Sequence, residues 1–353
     1  LCLSAPARDI SNVLALLDRE LRSQILPDGG HIERSPKQQC RVLGDLGDVN
    51  GLLNSADVVI SQRLVESLDR IAPMLRSLRH GDGGLACFNG STQGNGDVID
   101  NVLKVSQTDG KPLYNAPYMG FQRITANKTT AIMDTGPTTA SDENLNAGAL
   151  SLELSVGKER LVVNCGPYRG GDDDWRLALC GSAAHSTVTI DNRDSSDQHS
   201  GLTSLADVNR EEQSGAVWID ALHKGYEPIF GLRHRRRLYL DTEGEGVRGE
   251  DQIELVREVS TDGLHTRALA ARFHLHPSVR ASLIRNNDAV LLRLPSGVGW
   301  QFHAKGGEIA LNESVYFGDG GVRRRTEQIV VSSNMTTDVR VFKWAFQRVA
   351  SPT

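Results

Sequence analysis

The sequence predicts an α + β protein of more than one domain, in which a helical N-terminal part precedes a large antiparallel β-sandwich. Two observations carry this prediction. The first 80 residues place apolar side chains three and four positions apart, which is the spacing of amphipathic helices. Beyond about Tyr114, short segments alternate apolar and polar residues, and no helical pattern separates them. A polar, glycine-rich stretch between the two patterns divides the chain into a helical domain at residues 1–95 and a sandwich domain at residues 96–353.

Three helical segments are predicted in the N-terminal part. The first covers residues 10–25, and the second, a short one, covers residues 38–46. Residues 51–55 have the composition of a turn, and residues 56–79 then form one long helix or two. The choice depends on Pro73, which removes a backbone donor and is expected to kink or break the helix.

The predicted strands are short segments in which apolar and polar residues alternate. They cover residues 120–126, 129–135, 149–156, 160–165, 185–191, 216–222, 234–241, 251–259, 268–276, 289–294, 299–304, 328–333 and 338–346. More than a dozen strands without helices between them favour antiparallel sheets that pack face to face.

Composition excludes several classes of protein. The net charge of −5 gives no overall attraction to nucleic acid, and no apolar run approaches the roughly 20 residues of a membrane span. Five cysteines, without a CxxC pair, argue against a disulfide scaffold or a zinc cluster. Nucleotide-binding and protease motifs are also lacking. The chain starts at Leu1 without a methionine or a signal-peptide pattern, and we interpret it as a fragment or a processed chain.

A polar, glycine-rich loop at residues 26–36 lies between the first two predicted helices. Its glycines permit backbone angles that other residues avoid, and its prolines stop the helices on either side. The loop presents His31, Glu33 and Arg34, and the planar guanidinium of Arg34 is suited to bind a carboxylate with two hydrogen bonds. Two functions stay open: the wall of a substrate site, or a helix connector whose side chains cap and brace the loop.

Eight short segments stand in a distinctive order along nearly the whole chain. They are DGGHIERSP at 28–36, ALSLEL at 149–154, LVVNCG at 161–166, AHSTVTID at 184–191, GY at 225–226, GLRHRRRL at 231–238, GED at 249–251 and RFHLHP at 272–277. Together they resemble the heparinase II/III-like family of polysaccharide lyases, in particular a subgroup from alphaproteobacteria.

The resemblance implies both a fold and a reaction. The helices would be the C-terminal part of an α/α toroid, here truncated on its N-terminal side, and a cleft would lie between the toroid and the sandwich. The substrate would be an acidic, uronate-containing polysaccharide or oligosaccharide, cut by β-elimination. A base removes the proton next to the uronate carboxylate, an acid protonates the departing oxygen, and hydrogen-bond donors neutralise the carboxylate. Such lyases are commonly periplasmic, whereas unpaired cysteines also suit the cytoplasm.

The chain departs from the family pattern at the catalytic and metal positions. A Tyr-His pair, whose tyrosine transfers the proton, aligns with Gln38 and Gln39. A His-x-His motif aligns with Asn144 and Asn146, and an aspartate ligand aligns with Asn164. Neutral amides are poor zinc ligands, so we predict that the chain binds no zinc and no other cofactor. Asn144 can still donate a hydrogen bond to a substrate carboxylate.

The candidate catalytic residues are His185 and Asn144. His185 matches the remaining zinc-ligand histidine of the family, although a histidine at the start of a strand is also a common structural group. The candidate substrate-binding residues are polar or cationic side chains near the expected cleft, namely His31, Glu33, Arg34, Gln38, His223, Tyr226, His234 and Arg235.

The basic run at residues 233–237 has two explanations. If alternation holds, its three odd-numbered arginines share one face of a strand, and His234 and Arg236 share the other. One explanation is a solvated face. The alternative is a surface for anionic sugar, completed by His223 and Tyr226.

Two other polar groups are interpreted as structural. His274 and His276 are expected on one face of their strand, at an edge of the sandwich rather than in a metal site. The three aspartates at residues 172–174 are expected to form an exposed turn, because they lack the spaced ligands of a calcium loop.

Two functions from different classes follow. The leading hypothesis is a heparinase II/III-like lyase that cuts an acidic polysaccharide. The alternative is a catalytically degenerate protein that binds glycans or has an envelope-related structural role, which the amides at the family's catalytic positions favour. The oligomeric state stays open.

Overall fold

The computed structural model describes residues 7–106, 108–137, 146–196, 207–256, 266–335 and 339–349, apart from the side chains of residues 7–9 and 339. Over these residues a layer of helices precedes two antiparallel sheets. The helices of the layer are α1 (Ala7–Gln24), α2 (Pro36–Ser55), α3 (Gln62–Ser77) and α4 (Gly96–Val105). Two short helices, α5 (Asp173–Cys180) and α6 (Glu227–Phe230), interrupt the strands. The predicted α + β fold class with antiparallel sheets is confirmed.

The strands follow in chain order. They are β1 (Asn115–Ala116), β2 (Phe121–Ala126), β3 (Thr129–Asp134), β4 (Leu152–Val156), β5 (Glu159–Val163), β6 (Val188–Ile190), β7 (Asp207–Gln213), β8 (Ala216–His223), β9 (Leu232–Leu240), β10 (Gly246–Leu255), β11 (Arg267–Leu275), β12 (Arg280–Ile284), β13 (Ala289–Arg293), β14 (Gly299–Lys305), β15 (Glu308–Tyr316), β16 (Arg324–Met335) and β17 (Val339–Arg348).

These strands form two sheets. The first sheet has the order β1-β2-β3-β4-β5-β11-β16-β15, and β6 pairs with β11 beside this path. The second sheet has the order β12-β13-β14-β17-β10-β9-β8-β7. Alternation places one side chain in two of each strand on an inner face, and the inner faces supply one shared hydrophobic core.

Aromatic rings fill the middle of this core. The ring of Phe273 on β11 lies 4.8 Å from that of Trp344 and 5.2 Å from that of Phe302, measured between centroids. Both partners belong to the second sheet, so the contacts join the two sheets. Gly249 makes room for the indole of Trp344, because a Cβ there would lie 2.1 Å from the ring.

The helical layer has its own core, to which α2, α3 and α4 contribute. Ile99 and Leu103 of α4 are buried in it, so the packing of the helical layer continues past residue 95 to Val105. The division at residues 95 and 96 therefore stays a prediction, although α4 packs with the helices.

Several helix boundaries differ from the prediction. Residues 51–55 form the last turn of α2 rather than a turn between helices, and α3 begins at Gln62 rather than near residue 56. Helix α2 continues through Gly51 to Ser55, and Leu53 in this last turn is fully buried in the core of the helical layer. Pro73 does not end α3, which continues to Ser77.

The sequence patterns also missed several elements. The expectation of strands without intervening helices is wrong, because α5 and α6 lie among them. The aspartates at 172–174 do not form a turn: Asp172 caps α5, accepting hydrogen bonds from the backbone of Asp174 and Trp175. Strands β1, β7, β12 and β15 were not predicted. Residues 257–259 and 338, which belong to two predicted strands, lie outside the described residues.

Within the described ranges, no helix has both the length and the apolar character that crossing a membrane requires.

Candidate functional site

The loop at residues 26–36 lies against the first sheet through Arg34. The guanidinium pairs with the Asp134 carboxylate, and its Nε donates to the carbonyl of Met119 at 2.7 Å. It also lies over the ring of Phe121, 5.2 Å from the centroid. Arg34 is only 3% exposed, with a φ of 55°. The predicted role of Arg34 in binding a substrate carboxylate is therefore wrong, because its donors hold the loop to the sheet.

Two side chains brace the inside of the same loop. The backbone of His31 donates to Oε1 of Gln39 at 2.7 Å, and Nε2 of Gln39 donates to the carbonyl of Gly29 at 2.8 Å. His31 and Gln39 are both buried, and burial lowers the pKa of His31. Glu33 and Gln38 are half-buried. A structural role thus replaces the substrate role predicted for His31, while the roles of Glu33 and Gln38 stay predictions.

His185 is held as a neutral imidazole. It directly follows a 3-10 turn at Ser182–Ala184, three residues before β6 begins, and only 4% of it is exposed. Its Nδ1 lies 2.8 Å from the carbonyl oxygen of Gly181, which can only accept, so Nδ1 carries the proton. Burial lowers the pKa of His185. The second ring nitrogen is then left unprotonated and can accept a proton.

The positions of the family's metal ligands are occupied by amides. Asn144 lies outside the described residues, whereas Asn146 lies within them. Asn164 accepts from the backbone of Ser186 at 2.9 Å and donates to Glu153 at 3.3 Å, so it belongs to an internal network. In the part of the chain that is described, no three His, Cys, Asp or Glu side chains are grouped to hold a metal ion. The absence of a cofactor stays a prediction.

His223 and His234 lie inside the sandwich. Nε2 of His223 lies 3.2 Å from Nδ1 of His234, whose Nε2 lies 2.8 Å from Asp251. Asp251 also receives two hydrogen bonds from Arg236 and one from Trp344. Burial opposes ionisation of Asp251, yet the Arg236 guanidinium lowers its pKa. This network, with every member buried, stabilises the core rather than a sugar surface.

The predicted anionic-sugar surface, which combined the basic run of β9 with His223 and Tyr226, is therefore wrong, because these two side chains are buried. Tyr226 is fully buried, and its hydroxyl donates to the carbonyl of Val188 at 2.9 Å. Arg235 lies on the opposite face of β9 from His234 and pairs with Asp220 at 2.8 Å. The alternation along residues 233–237 is confirmed, but the histidine face points inward.

Sequence analysis missed a polar cluster where the helical layer meets the first sheet. The carboxylate of Glu153 lies 2.9 Å from Nε2 of His80 and accepts from the backbone of Cys87 and Asn164. Arg160 is 3.9 Å away, and it also forms two hydrogen bonds with Asp82. Burial lowers the pKa of His80, and although burial opposes ionisation of Glu153, the bond from His80 lowers the pKa of that carboxyl. The pair is thus a carboxylate and a neutral imidazole.

One sequence signal could have found this cluster. Glu153 is a charged residue in the middle of a strand whose other residues are apolar or small. A charge at such a position is rarely buried without partners, so it predicts a buried ion pair.

An exposed cationic group, also missed, lies at the boundary between the helical layer and the first sheet. Lys37 and Arg41 belong to α2, and Arg169 follows β5. Arg169 donates to the carbonyl of Gly90 at 2.8 Å. Partial burial and the nearby guanidinium groups of Arg169 and Arg41 lower the pKa of Lys37. We call Lys37, Arg41 and Arg169 the cationic rim.

A cavity of about 520 Å³ lies between α5 and the edge of the first sheet. Trp175, Arg323 and His274 are among its lining residues. His274 is bonded to Ser314 at 2.8 Å and to the carbonyl of Ala183 at 3.0 Å. These bonds support the structural interpretation of His274.

Solved structures share this architecture of a helical layer and two antiparallel sheets. A heparinase III gene product superposes with a TM-score of 0.78 at 12% identity, over 95% of this chain and 54% of its own length. Heparan sulfate lyase HepC from Pedobacter heparinus superposes with a TM-score of 0.74 at 14% identity, over 96% of this chain and 55% of its own. The architecture is thus that of the heparinase III fold.

The chain belongs to the heparinase II/III-like family. Residues 108–345 match the family described as Heparinase II/III-like, C-terminal. A relative, FtsZ-localized protein C of Caulobacter vibrioides (strain NA1000 / CB15N), is 30% identical over 349 residues, which cover 94% of this chain and 60% of the relative. The chain thus spans less than two thirds of the length of these proteins. The family predicted from the sequence is confirmed.

Replacement of Glu153 by alanine is expected to lower the free energy of unfolding by about 3–5 kcal/mol, because it leaves the buried His80 imidazole and two backbone donors without their acceptor. Glu313→Ala is the matched control, since Glu313 and Arg325 form an exposed pair. That variant should lose about 1 kcal/mol or less. Urea unfolding of both variants measures the difference, and equal losses would contradict the importance of the buried cluster.

A His274→Gln variant should make stability less sensitive to acid. Burial lowers the native pKa of His274 to about 3, whereas the unfolded chain protonates this group near its ordinary value of 6.5. The unfolded state therefore gains protons first, and stability falls as the pH drops below about 6.5. Between about pH 7 and about pH 5, the wild type should lose about 2 kcal/mol more than the variant. Urea unfolding of both proteins at the two pH values measures this difference. Equal losses of unfolding free energy in the wild type and the variant would refute the prediction.

Proposed function

We propose that the chain is part of a polysaccharide lyase that cuts an acidic, uronate-containing polymer by β-elimination. The observation that carries the proposal is the state of His185, a neutral imidazole whose Nδ1 proton is bound by the carbonyl of Gly181. Such a ring can remove a proton with Nε2 at neutral pH. The family and fold support the reaction class, and by resemblance His185 stands at the position of the family's remaining zinc-ligand histidine.

The reaction assigns each proton and bond. Nε2 of His185 takes the proton from the carbon next to the uronate carboxylate, and the electron pair left there forms a carbon–carbon double bond. The glycosidic carbon–oxygen bond breaks, the departing oxygen takes up a proton from water, and the protonated His185 then returns its proton to the solvent. Asn144 is proposed to donate to the carboxylate, which lowers the energy of the developing negative charge.

The cationic rim supports an acidic substrate. Lys37, Arg41 and Arg169 repel one another, and a bound anion relieves this repulsion. They lie on the helical layer and on the chain after β5, so a polymer along this boundary would contact both parts.

A His185→Asn variant tests the lyase proposal. The asparagine amide can still donate to the Gly181 carbonyl, but it cannot act as a base. With polygalacturonate, alginate or heparan sulfate, the complete protein should form unsaturated ends that absorb ultraviolet light. The variant should lower kcat/KM by about 10²–10⁴-fold. His276→Asn is the matched control and should keep full activity, because this half-buried histidine follows β11 and is bonded to Ser278. Absence of unsaturated ends with every polymer would refute the proposal.

The second candidate is a non-catalytic protein of the cell-division apparatus. Gln39 favours it, because this residue replaces half of the family's proton-transfer pair and its side chain bonds to backbone groups of the loop and of Ile71 in α3. The relative from Caulobacter vibrioides, which is named for its localisation with FtsZ, also supports it. In this case the fold would serve as a scaffold that associates with FtsZ.

Co-sedimentation separates the two candidates. If the chain is such a scaffold, the protein should pellet with FtsZ polymers assembled with GTP and stay in solution with GDP. The His185→Asn variant should pellet equally well, because the scaffold needs no base. Failure to pellet, combined with formation of unsaturated polymer ends, would eliminate this candidate.

A further inference from the structure

A groove crosses the outer face of the second sheet, on the far side of the sandwich from His185. It encloses about 380 Å³ and runs over β8, β9, β10, β17 and β14. The neighbouring registers align one row of side chains across these strands. In spatial order the row consists of Trp218, Tyr239, Arg248, Ala345 and His303. We call this surface the outer groove.

One wall of the outer groove is aromatic. The rings of Trp218 and Tyr239 lie side by side, with centroids 4.6 Å apart. Trp218 is 43% exposed, which is unusual for so large an apolar side chain on a sheet surface. The floor beside this wall is shallow, because Ala345 presents only a methyl group there. The guanidinium of Arg248 lies over the ring of Tyr239, 5.8 Å from its centroid, so the exposed ring of Trp218 is the part of the wall that a flat ligand ring can reach.

The rest of the lining is cationic. Arg237, Arg248, Lys305 and Lys343 face the groove, and Glu250 is the carboxylate among the lining residues. Glu250 pairs with Arg237 at 2.5 Å and with Lys343 at 3.4 Å. Within the described residues, Arg248 and Lys305 have no carboxylate partner. On a chain whose net charge is −5, this local excess of positive charge favours an anionic ligand.

The topology argues against a peptide strand as the ligand. Peptides often bind sheets by pairing with an edge strand. The groove crosses β8, β9, β10, β17 and β14, all of which have neighbours on both sides, and the edges of this sheet are β12 and β7. A ligand here must therefore bind through side chains alone. Sugar rings satisfy this condition, because their C–H faces pack on aromatic rings while their carboxylates bind cations.

We propose that the outer groove binds a uronate-containing polysaccharide as a second site, with a sugar ring on Trp218 and carboxylates on Arg248 and Lys305. The proposal rests on the proposed function for its ligand class. The site needs no catalytic group, and it would hold a polymer on the protein while another part of the chain is processed elsewhere.

Binding of polygalacturonate to the complete protein tests this site, with the His185→Asn variant as the background so that the polymer is not consumed. Titration calorimetry should show that Trp218→Ala and the double variant Arg248→Glu, Lys305→Glu each weaken binding at least about tenfold. Trp218→Phe should restore most of the affinity, because it keeps an aromatic ring. The matched control is Arg280→Glu, Arg293→Glu, which makes the same charge change on β12 and β13 of the same sheet and should leave the affinity unchanged.

Three outcomes would overturn the proposal. Equal binding of neutral dextran would show that the cations contribute nothing. Equally tight, Trp218-dependent binding of polyglutamate would indicate an acidic-peptide surface instead. If the wild type cuts the polymer but groove variants bind it normally, the outer groove fails while the lyase proposal stands. If the groove variants lose binding but no polymer is cut, the lyase proposal fails and the outer groove stands.

Discussion

The buried carboxylate of Glu153 fixes the helical layer on the first sheet. Its donors come from both sides: His80 and the backbone of Cys87 follow the helices, whereas the backbone of Asn164 follows β5. An ionised carboxylate in an apolar interior is unstable unless several donors surround it. The segments that supply these donors must therefore meet in one arrangement. If the helical layer shifted relative to the first sheet, the Glu153 carboxylate would lose donors while it stayed buried. The buried Arg34–Asp134 pair fixes the loop on β3 in the same way.

This constraint explains why the loop contributes shape rather than chemistry. The side chains of Arg34 and Gln39 donate hydrogen bonds to carbonyls and a carboxylate of the protein itself. The loop and its sheet contacts then form a rigid wall at the boundary, to which the cationic rim is attached. His185 differs, because the one described hydrogen bond of its ring selects a tautomer and leaves a basic nitrogen. Rigid surroundings and a neutral base are compatible, since a fixed imidazole loses little entropy on meeting a substrate.

Local sequence patterns predicted most of the strands and the fold class, and they failed where a distant partner decides the structure. Residues 51–55 have the composition of a turn, yet α2 continues to Ser55, and Leu53 in this segment is buried in the core of the helical layer. The charged strand β9 shows the same limit: alternation separated His234 and Arg236 from the other arginines but could not tell which face is buried. That depends on Asp251 in the neighbouring strand, whose carboxylate makes burial of both groups tolerable. The sequence similarly placed Arg34 in a loop, yet its partners Met119 and Asp134 lie far along the chain.

Burial sorts the charged residues by the role they can have. A buried ion pair is costly to break, so Arg236 and Arg160 cannot exchange their protein partners for a ligand without loss of stability. The surface ion pairs of an exposed cation contribute little to stability, so such a cation can exchange them for a bound anion. By this criterion the histidines and arginines of the family-like segments are mainly architectural. The ligand-binding candidates move to exposed cations that no motif singles out, such as Arg169 at the cationic rim and Arg248 in the outer groove. Anion binding at these positions would depend strongly on salt, because exposed charges are screened within about 10 Å at 0.1 M ionic strength.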